Sequence, residues 1–339
     1  MLITGGAGFI GSNAALYFGK RGWDICILDN LSRAGTSVNL ESLQQEMNVS
    51  FVNGDIRRKQ DVDNAFRQAG NVDAVLHMAA QVAVTTSVLD PTNDFEVNAL
   101  GTFNILEATR SHAPGARFVF ASTNKVYGNL EHRRVVLSNG RYSFDNLERG
   151  VNEQEPLDFH SPYGCSKGAA DQYVADYARM YGLKTYVIRQ SCIYGPRQYG
   201  VEDQGWVAWF TIAAHFGRNI TVYGDGKQVR DLLWVEDLLD LYDRCLESGR
   251  PGSVYNAGGG VENVASILEV LKQLESLLQR KIPINFADWR PGDQKIFVSD
   301  NGKAGDQLSW KPRRSVSSGL EVLVRWVQQN EALIKKCGL

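Results

Sequence analysis

The chain has 339 residues, 43% hydrophobic and 22% charged, a composition typical of a globular protein with one large or two closely joined domains. A net charge of -2 argues against nucleic acid or an anionic membrane as partner, and neither a membrane span nor a signal peptide is recognisable. The five scattered cysteines favour reduced thiols and a cytoplasmic location over disulfides or a metal site.

Short apolar runs alternate with amphipathic segments over residues 1–190. The predicted strands are 2–4, 25–29, 50–55, 73–80, 117–122 and 185–191, and the predicted helices are 10–21, 59–68, 91–111 and 162–181. Continuous apolar runs of this length are typical of parallel strands covered on both faces. The alternation therefore predicts an α/β fold with a Rossmann-type, doubly wound parallel sheet.

Two features interrupt this pattern. Residues 129–160 form a long polar insertion, and after Gly195 the elements become shorter and mixed. We therefore predict a first domain over 1–190, with the insertion 129–160, and a smaller mixed α/β lobe over 191–339. The segment at about 232–260 is expected to return to the first domain.

A glycine-rich turn follows the first strand. Gly5, Gly8 and Gly11 in GGAGFIG allow a tight turn and the approach of a pyrophosphate to the amides at a helix N-terminus. Their spacing is GxxGxxG, which differs from the GxGxxG fingerprint of dinucleotide sites, and such a turn can also be purely structural.

Asp29 ends the second strand, where a carboxylate can accept both ribose hydroxyls and repel a 2′-phosphate. Asp29 therefore favours NAD over NADP, although the nearby cation Arg33 is also compatible with NADP. Asp55 and Ile56, after the third strand, are placed to contact the adenine, and the HMAAQ run after the fourth lets a cofactor lie close. His77 in that run is expected to be a packed or capping residue and not a catalyst.

Tyr163 and Lys167 are four residues apart in SPYGCSKG, after Ser161 and Pro162, which look like an N-cap and a first helical residue. Helical spacing places both side chains on one face. A phenol with a pKa of about 10 needs a neighbouring cation to act as a base at neutral pH. Such pairs also occur by chance, but Thr123, at the end of the fifth strand, supplies a hydroxyl for the same substrate oxygen.

This order of elements resembles the extended short-chain dehydrogenase/reductase family, which acts on sugar nucleotides, over essentially the whole chain. Its branch of CDP-tyvelose (CDP-paratose) 2-epimerases is similar in STNKVYG, LDFHSPYGCSKGAADQY, YGPRQ, DQGWVAWF and GDGKQVRD. The resemblance implies that Thr123, Tyr163 and Lys167 are catalytic. It also implies NAD, a CDP-hexose substrate, and a homodimer or homotetramer in which helices 91–111 and 162–181 pair between subunits.

The predicted cofactor site extends beyond these motifs. It comprises Gly5, Gly8, Phe9, Ile10, Gly11, Asp29, Asn30, Arg33, Asp55, Ile56, Ala79, Ala80, Gln81, Tyr163 and Lys167.

Asn124 and Lys125 follow Thr123, where the dehydratases of the family carry Asp and Glu. An amide and a cationic amine cannot act as the acid–base pair that removes water from a sugar. Reversible hydride transfer remains: oxidation at C2 to a 2-keto sugar, turning of that intermediate, and reduction on the other face. Asn124 and Lys125 either contact the sugar or only shape the loop.

Arg230 and Arg290 match diphosphate-binding positions of the wider family, although such arginines can also form surface ion pairs. Trp206 and Trp209 either wall the nucleotide or belong to the core. The predicted substrate residues are Ser122, Asn124, Lys125, Gln190, Ser191, Arg197, Gln198, Arg230 and Arg290.

The hexose stays open: CDP-paratose and CDP-tyvelose, or CDP-glucose and CDP-mannose. The alternative functions are a UDP-hexose 4-epimerase or another sugar-nucleotide epimerase, and an NAD-binding sensor without catalysis. The sensor would have no need of Thr123, Tyr163 and Lys167 together.

Overall fold

The computed structural model describes residues 1–290 and 292–339. The strands are β1 (Leu2–Thr4), β2 (Ile25–Asp29), β3 (Val49–Asn53), β4 (Ala74–His77), β5 (Arg117–Thr123), β6 (Val135–Ser138), β7 (Arg141–Phe144), β8 (Lys184–Gln190), β9 (Cys192–Tyr194), β10 (Ile220–Tyr223), β11 (Val229–Trp234), β12 (Ser253–Ala257), β13 (Val264–Ser266), β14 (Ile284–Ala287) and β15 (Ile296–Phe297).

The helices are α1 (Phe9–Gly19), α2 (Thr36–Glu46), α3 (Lys59–Ala69), α4 (Val84–Leu89), α5 (Pro91–Phe95), α6 (Gly101–His112), α7 (Ser161–Tyr181), α8 (Trp206–His215), α9 (Val235–Ser248), α10 (Ile267–Leu278), α11 (Gly302–Leu308), α12 (Val316–Gln329) and α13 (Glu331–Lys336). None of the helices in the described part of the chain is both long and apolar enough to span a bilayer.

A parallel sheet in the order β12-β8-β5-β4-β1-β2-β3 forms the centre of the molecule. One face packs against α1, α2 and α9 through residues such as Phe18, Leu43 and Leu239. The other face packs against α3, α6 and α7, through residues such as Leu106 and Val174. Helices cover both faces, the inner strands are mostly buried and apolar, and the predicted doubly wound sheet is confirmed.

The seventh strand of this sheet comes from late in the chain. β12 pairs in parallel with β8, with Tyr255 opposite Ile188. It lies within the segment at about 232–260 that we expected to return to the first domain, and α9 of the same segment covers the sheet.

Most of the other elements after residue 190 form a smaller lobe. β11 lies parallel to β9 and β15 and antiparallel to β13. α8, α10 and α12 close a second core around Val207, Val270 and Leu320. The 129–160 insertion contains an antiparallel hairpin of β6 and β7 that turns at Asn139 and Gly140, both with positive φ, where we had predicted only a polar loop.

The helix predicted over 91–111 is interrupted. α5 is followed by a π-helical turn at Glu96–Leu100, and α6 then continues to His112. The wider turn brings Asn98 to the inside, where it contacts Gln81 and Ser166. This local change of helical pitch therefore supplies an inward polar group at the carboxyl edge of the sheet.

Candidate active site

A cavity of about 610 Å³ lies over the carboxyl ends of the central strands. Its lining includes every residue of the predicted cofactor set: Gly5, Gly8, Phe9, Ile10, Gly11, Asp29, Asn30, Arg33, Asp55, Ile56, Ala79, Ala80, Gln81, Tyr163 and Lys167. We call it the first cavity. The structure thus brings together residues that the sequence spreads over 160 positions.

The glycine turn is shaped by close backbone packing. Gly5 has φ +66°, and a Cβ there would lie 2.7 Å from the amide nitrogen of Ala79. A Cβ on Gly11 would lie 2.2 Å from the carbonyl oxygen of Gly5. α1 then begins at Phe9 without a side-chain cap on its first amides. A pyrophosphate fits such a turn, because these amides are free to donate to an anion.

Asp29 is buried at the end of β2. Its Oδ2 accepts from the amide of Ala7 at 3.0 Å and its Oδ1 from the amide of Leu31 at 2.8 Å. Burial raises the pKa of Asp29, while these two hydrogen bonds and the charge of Arg33 act in the opposite direction. Each carboxylate oxygen retains a further lone pair, as recognition of two ribose hydroxyls would require.

Asp55 is fixed by Arg57, which the sequence analysis did not identify. Arg57 donates from Nε and Nη2 to the two oxygens of Asp55 at 3.0 and 2.7 Å, and Asn30 donates to Oδ2 at 3.1 Å. This bidentate contact lowers the pKa of Asp55 to about 2. Ile56 beside it is buried. The carboxylate is therefore charged and held in one orientation at the cavity wall.

Gln81 supports the wall through contacts within the protein. Its Nε2 donates to Ala83 O at 2.9 Å and to Asp94 Oδ1 at 2.8 Å. His77 is likewise occupied: its ring nitrogens lie 2.6 Å from Thr4 Oγ1 and 2.9 Å from Thr102 Oγ1. Burial lowers the pKa of His77 to about 3, so it is a neutral packing residue.

Tyr163 lies in the first turn of α7, and its backbone amide donates to Ser87 Oγ at 3.2 Å. Ser161 was predicted as the N-cap, but α7 begins at Ser161 and His160 takes the cap position; Ser161, with φ +65°, still accepts from the amide of Gly164 at 3.2 Å. Burial raises the pKa of Tyr163 to about 12, and a hydrogen bond with the hydroxyl of Thr123 opposes that rise. The phenol and the threonine hydroxyl predicted to share a substrate oxygen therefore do lie together.

Lys167 follows one helical turn later and is buried. Its Nζ donates to the carbonyl oxygen of Ala121 in β5 at 2.7 Å. Burial lowers the pKa of Lys167 to about 7, against the charges of Asp171 and Asp94. Because its ammonium is poorly solvated, any further negative charge in the cavity strongly favours its protonated form.

A second cavity, of about 330 Å³, opens on the other side of Tyr163. Of the predicted substrate residues, it is lined by Asn124, Lys125, Ser191, Arg230 and Arg290, together with Thr123. Tyr163 lines both cavities. The phenol therefore lies where a cofactor in the first cavity and a substrate in the second would meet.

Three cationic side chains line the second cavity. Lys125 Nζ donates to Gly292 O at 3.2 Å, and burial together with the charge of Arg230 lowers the pKa of Lys125 to about 8. Arg290 lies 3.7 Å from the ring centroid of Tyr223 and 3.2 Å from Asp203 Oδ1. Asp293 lines the same cavity, and its charge raises the pKa of both Lys125 and Arg230 against the effect of burial. Three cations around one cavity can bind a diphosphate.

Four predicted substrate residues lie elsewhere. Ser122 donates to Asp171 at 2.6 Å, and its hydroxyl is thus not available to a sugar. Gln190, Arg197 and Gln198 line the first cavity instead of the second. Arg197 has a positive φ, and its guanidinium donates to Ser42 Oγ at 3.2 Å and forms an ion pair with Glu46 of α2.

The two tryptophans also differ. Trp206 lines the second cavity and donates to Cys192 Sγ at 3.1 Å, whereas Trp209 packs against the core of the smaller lobe. Sequence reasoning missed Tyr223, whose aromatic ring beside a GDG turn was a usable signal. It also missed the 201–204 loop, where Asp203 and Gln204 line both cavities. No local pattern in the sequence marks that loop.

Comparisons with known proteins agree with this geometry. Residues 2–323 match the family model described as GDP-mannose 4,6 dehydratase. A CDP-paratose 2-epimerase from Salmonella typhi is 43% identical over 333 residues, which cover 96% of this chain and 98% of the relative.

Two solved structures are similar over nearly the whole chain. A UDP-glucose 4-epimerase from Thermotoga maritima, with UDP-glucose, is 30% identical with a TM-score of 0.84 and 97% and 99% coverage of the two chains. A dTDP-glucose 4,6-dehydratase from Bacillus anthracis, in complex with NAD, is 31% identical with a TM-score of 0.82 and 99% and 98% coverage.

Proposed function

The chain belongs to the GDP-mannose 4,6-dehydratase family, within the extended short-chain dehydrogenases/reductases, and we propose that it inverts C2 of a CDP-activated hexose. It is an enzyme of the sugar-nucleotide epimerase type, with NAD as its cofactor. CDP-paratose and CDP-tyvelose are the preferred pair of substrates, because the Salmonella typhi relative is a CDP-paratose 2-epimerase.

One observation carries the proposal: Tyr163, which lines both cavities, lies beside Thr123 of the second cavity, and the neighbouring side chains there are an amide and an amine. The redox machinery for a sugar hydroxyl is thus complete. The carboxylic acid and carboxylate that a dehydratase needs to eliminate water are replaced by Asn124 and Lys125.

The first cavity fits NAD in its glycine turn, its uncapped helix amides and its buried Asp29. When bound there, NAD supplies a hydride acceptor, later a hydride donor, and a positive charge near the phenol. The side chains that would hold it are those of the cofactor set given above, with Asp29 on a ribose.

The protein's own groups move the proton. In the proposed mechanism Tyr163, as phenolate, accepts the proton of the C2 hydroxyl, and Thr123 donates a hydrogen bond to the same oxygen. Lys167 stabilises the phenolate electrostatically from one turn along α7. The C2 hydrogen of the sugar is not acidic, because neither neighbouring carbon is a carbonyl, so direct deprotonation at carbon is excluded as a route. After the 2-keto sugar has turned, Tyr163 returns the proton to the oxygen.

The second cavity holds the rest of the substrate in this proposal. Arg230, Arg290 and Lys125 bind the diphosphate and the adjoining sugar oxygens, and Trp206 and Tyr223 border the nucleotide. Tight retention of the diphosphate allows the keto sugar to rotate without leaving the enzyme.

The decisive experiment is a panel of CDP- and UDP-hexoses, with NMR used to determine the configuration at C2 and at C4. We expect inversion at C2 of CDP-sugars. C2-deuterated substrate should retain its label in the product, since the hydride is moved and returned within one site. Complete loss of the deuterium to solvent would contradict the mechanism.

A second candidate is a UDP-hexose 4-epimerase, which is favoured by the similarity to the Thermotoga maritima enzyme with UDP-glucose. The same panel separates the two, because that activity would convert UDP-glucose at C4 and leave C2 unchanged.

We also propose a homodimer through α6 and α7. Phe95, Phe103, Tyr173, Met180 and Tyr181 are large apolar side chains that stay exposed on or next to these helices. Light scattering would distinguish a dimer from a tetramer or a monomer.

A further inference from the structure

The segment from Ser122 to Tyr127 carries the residues that face the substrate. β5 ends at Thr123, and Asn124–Tyr127 form a 3-10 turn beyond the sheet. Sheet hydrogen bonds therefore do not hold Asn124 and Lys125 in place. What holds the segment is a buried ion pair behind it.

This ion pair joins α7 to β8. Arg189 donates from Nε and Nη2 to the two oxygens of Asp171, both at 2.9 Å, with the side chains 5% and 0% exposed. Asp171 is four residues after Lys167, and Lys167 is four after Tyr163, so the three share one face of α7.

Each end of the segment is tied to this pair. At the front, Ser122 Oγ donates to Asp171 Oδ2 at 2.6 Å. At the back, Arg189 Nη1 donates to the hydroxyl of Tyr127 at 3.1 Å. The Tyr127 hydroxyl in turn donates to Asn256 Oδ1 of β12 at 2.7 Å.

The same network reaches the 129–160 insertion. Asn256 Nδ2 donates to Val151 O at 2.8 Å, and Tyr127 packs against Leu130, Val151 and Phe297. The insertion thus closes over the rear of the segment on the side away from the cavities.

A buried ion pair is a weak source of stability, because desolvation of the two charges offsets much of their attraction, and apolar residues can replace such pairs at little cost. We propose that Asp171 and Arg189 are positioning residues: by holding Ser122 and Tyr127 they fix the hydroxyl of Thr123 against Tyr163. This inference rests on the proposed roles of Thr123 and Tyr163 in the reaction.

The test removes single oxygens from the network. Tyr127→Phe deletes the rear contact, Ser122→Ala the front one, and both leave the ion pair in place. Tyr186→Phe is the matched control, because Tyr186 is also buried, lies in β8 and lines neither cavity, and its hydroxyl donates to Gly249 O at 3.1 Å. All variants are assayed, well below their melting temperatures, on whichever sugar nucleotide the wild type epimerises, so that an error in the C2 assignment does not affect the comparison.

For Tyr127→Phe and Ser122→Ala we expect kcat to fall about tenfold, as for a reacting group that is slightly misplaced, with KM within about twofold. The rising limb of kcat against pH should move to higher pH, because a displaced Thr123 no longer assists ionisation of Tyr163. Tyr186→Phe should keep both kcat and the pH profile.

A purely structural network would lower only the melting temperature. If Tyr127→Phe and Ser122→Ala both kept the wild-type kcat and pH profile, the positioning role would be wrong, whatever their melting temperatures. A fall in kcat that is equally large in Tyr186→Phe would overturn it as well.

Discussion

The two cavities on either side of Tyr163 are built differently. One end of the first is shaped by close backbone packing at the glycine turn, the amides of α1 and the small residues after β4, with the buried Asp29 beside them. The second is formed by long charged and aromatic side chains from several elements, among them Lys125, Arg230 and Arg290.

This difference indicates how one fold can keep the same cofactor, NAD, while its sugar-nucleotide substrate varies. A Cβ added at Gly5 or Gly11 would lie 2.7 or 2.2 Å from a backbone atom, so a turn of this kind tolerates few changes. A site made of side-chain ends can change its specificity by substitution without moving the sheet. Tyr163 is common to both cavities, and its loss should have the largest effect of all.

Tyr163→Phe should reduce turnover by roughly 10³-fold or more, because proton transfer from the sugar hydroxyl loses its base. Binding of NAD and of the nucleotide should persist, as the shape of both cavities is kept. The measurements are turnover by NMR and NAD content after denaturation. Tyr186→Phe, in a buried tyrosine that lines neither cavity, is the control, and unchanged turnover in Tyr163→Phe would remove the catalytic assignment.

Gly11→Ala should affect the first cavity alone. Its Cβ would lie 2.2 Å from Gly5 O, so the turn must shift, and we expect the Kd for NAD to rise about 10–100-fold, the range that corresponds to overpacking. Calorimetry with NAD measures the affinity of the first cavity, and a separate titration with CDP measures that of the second.

The control is Gly305→Ala in α11, where the nearest atom would be 3.6 Å from the new Cβ. It should leave both affinities unchanged. Equal weakening of CDP and NAD binding by Gly11→Ala would show that the two cavities are not independent.

Ionisation of Lys125 should have a smaller effect, which is confined to ligand binding in the second cavity. Burial and the charge of Arg230 lower the pKa of Lys125 to about 8, so the ammonium is present below this pH and is lost above it. A bound diphosphate raises the pKa, and the affinity for CDP should therefore fall as pH rises through 8. A rise of one pKa unit on binding corresponds to about tenfold in affinity.

Calorimetry between pH 7 and 9.5, in buffers of different ionisation enthalpy, would detect both the fall in CDP affinity with pH and the uptake of a proton on binding. Lys125→Met should bind CDP more weakly at pH 7, and its affinity for CDP should no longer depend on pH in this range. If the variant kept the wild-type pH dependence of CDP affinity, a group other than Lys125 would be responsible for that dependence.

The sequence predicted the first cavity better than the second for a physical reason. Gly5, Gly11 and Asp29 belong to one strand–turn–helix–strand unit, in which local spacing determines position. Tyr163 and Lys167 are likewise related by one turn of a single helix. Offsets of this kind can be read without knowledge of the tertiary structure.

The second cavity depends on contacts between distant segments. Arg197 was predicted to contact the sugar, but its side chain binds Ser42 and Glu46 of α2, a helix that we did not predict. The hydroxyl of Ser122 is bound to Asp171, 49 positions later. The spacing of apolar residues in this segment does not reveal the π-helical turn at 96–100, so a continuous helix was predicted. Tertiary packing decides each of these cases.

The position of β12 limits how this chain can be divided. β8 lies between β5 and β12, and the chain leaves the sheet and builds β9, α8, β10 and β11 of the smaller lobe before it returns to supply β12. A fragment that stops at residue 190 would therefore have β8 as an open edge, with a row of unpaired backbone amides and carbonyls. Such an edge pairs readily with other chains, so the truncated protein is expected to aggregate instead of yielding a separate nucleotide-binding domain.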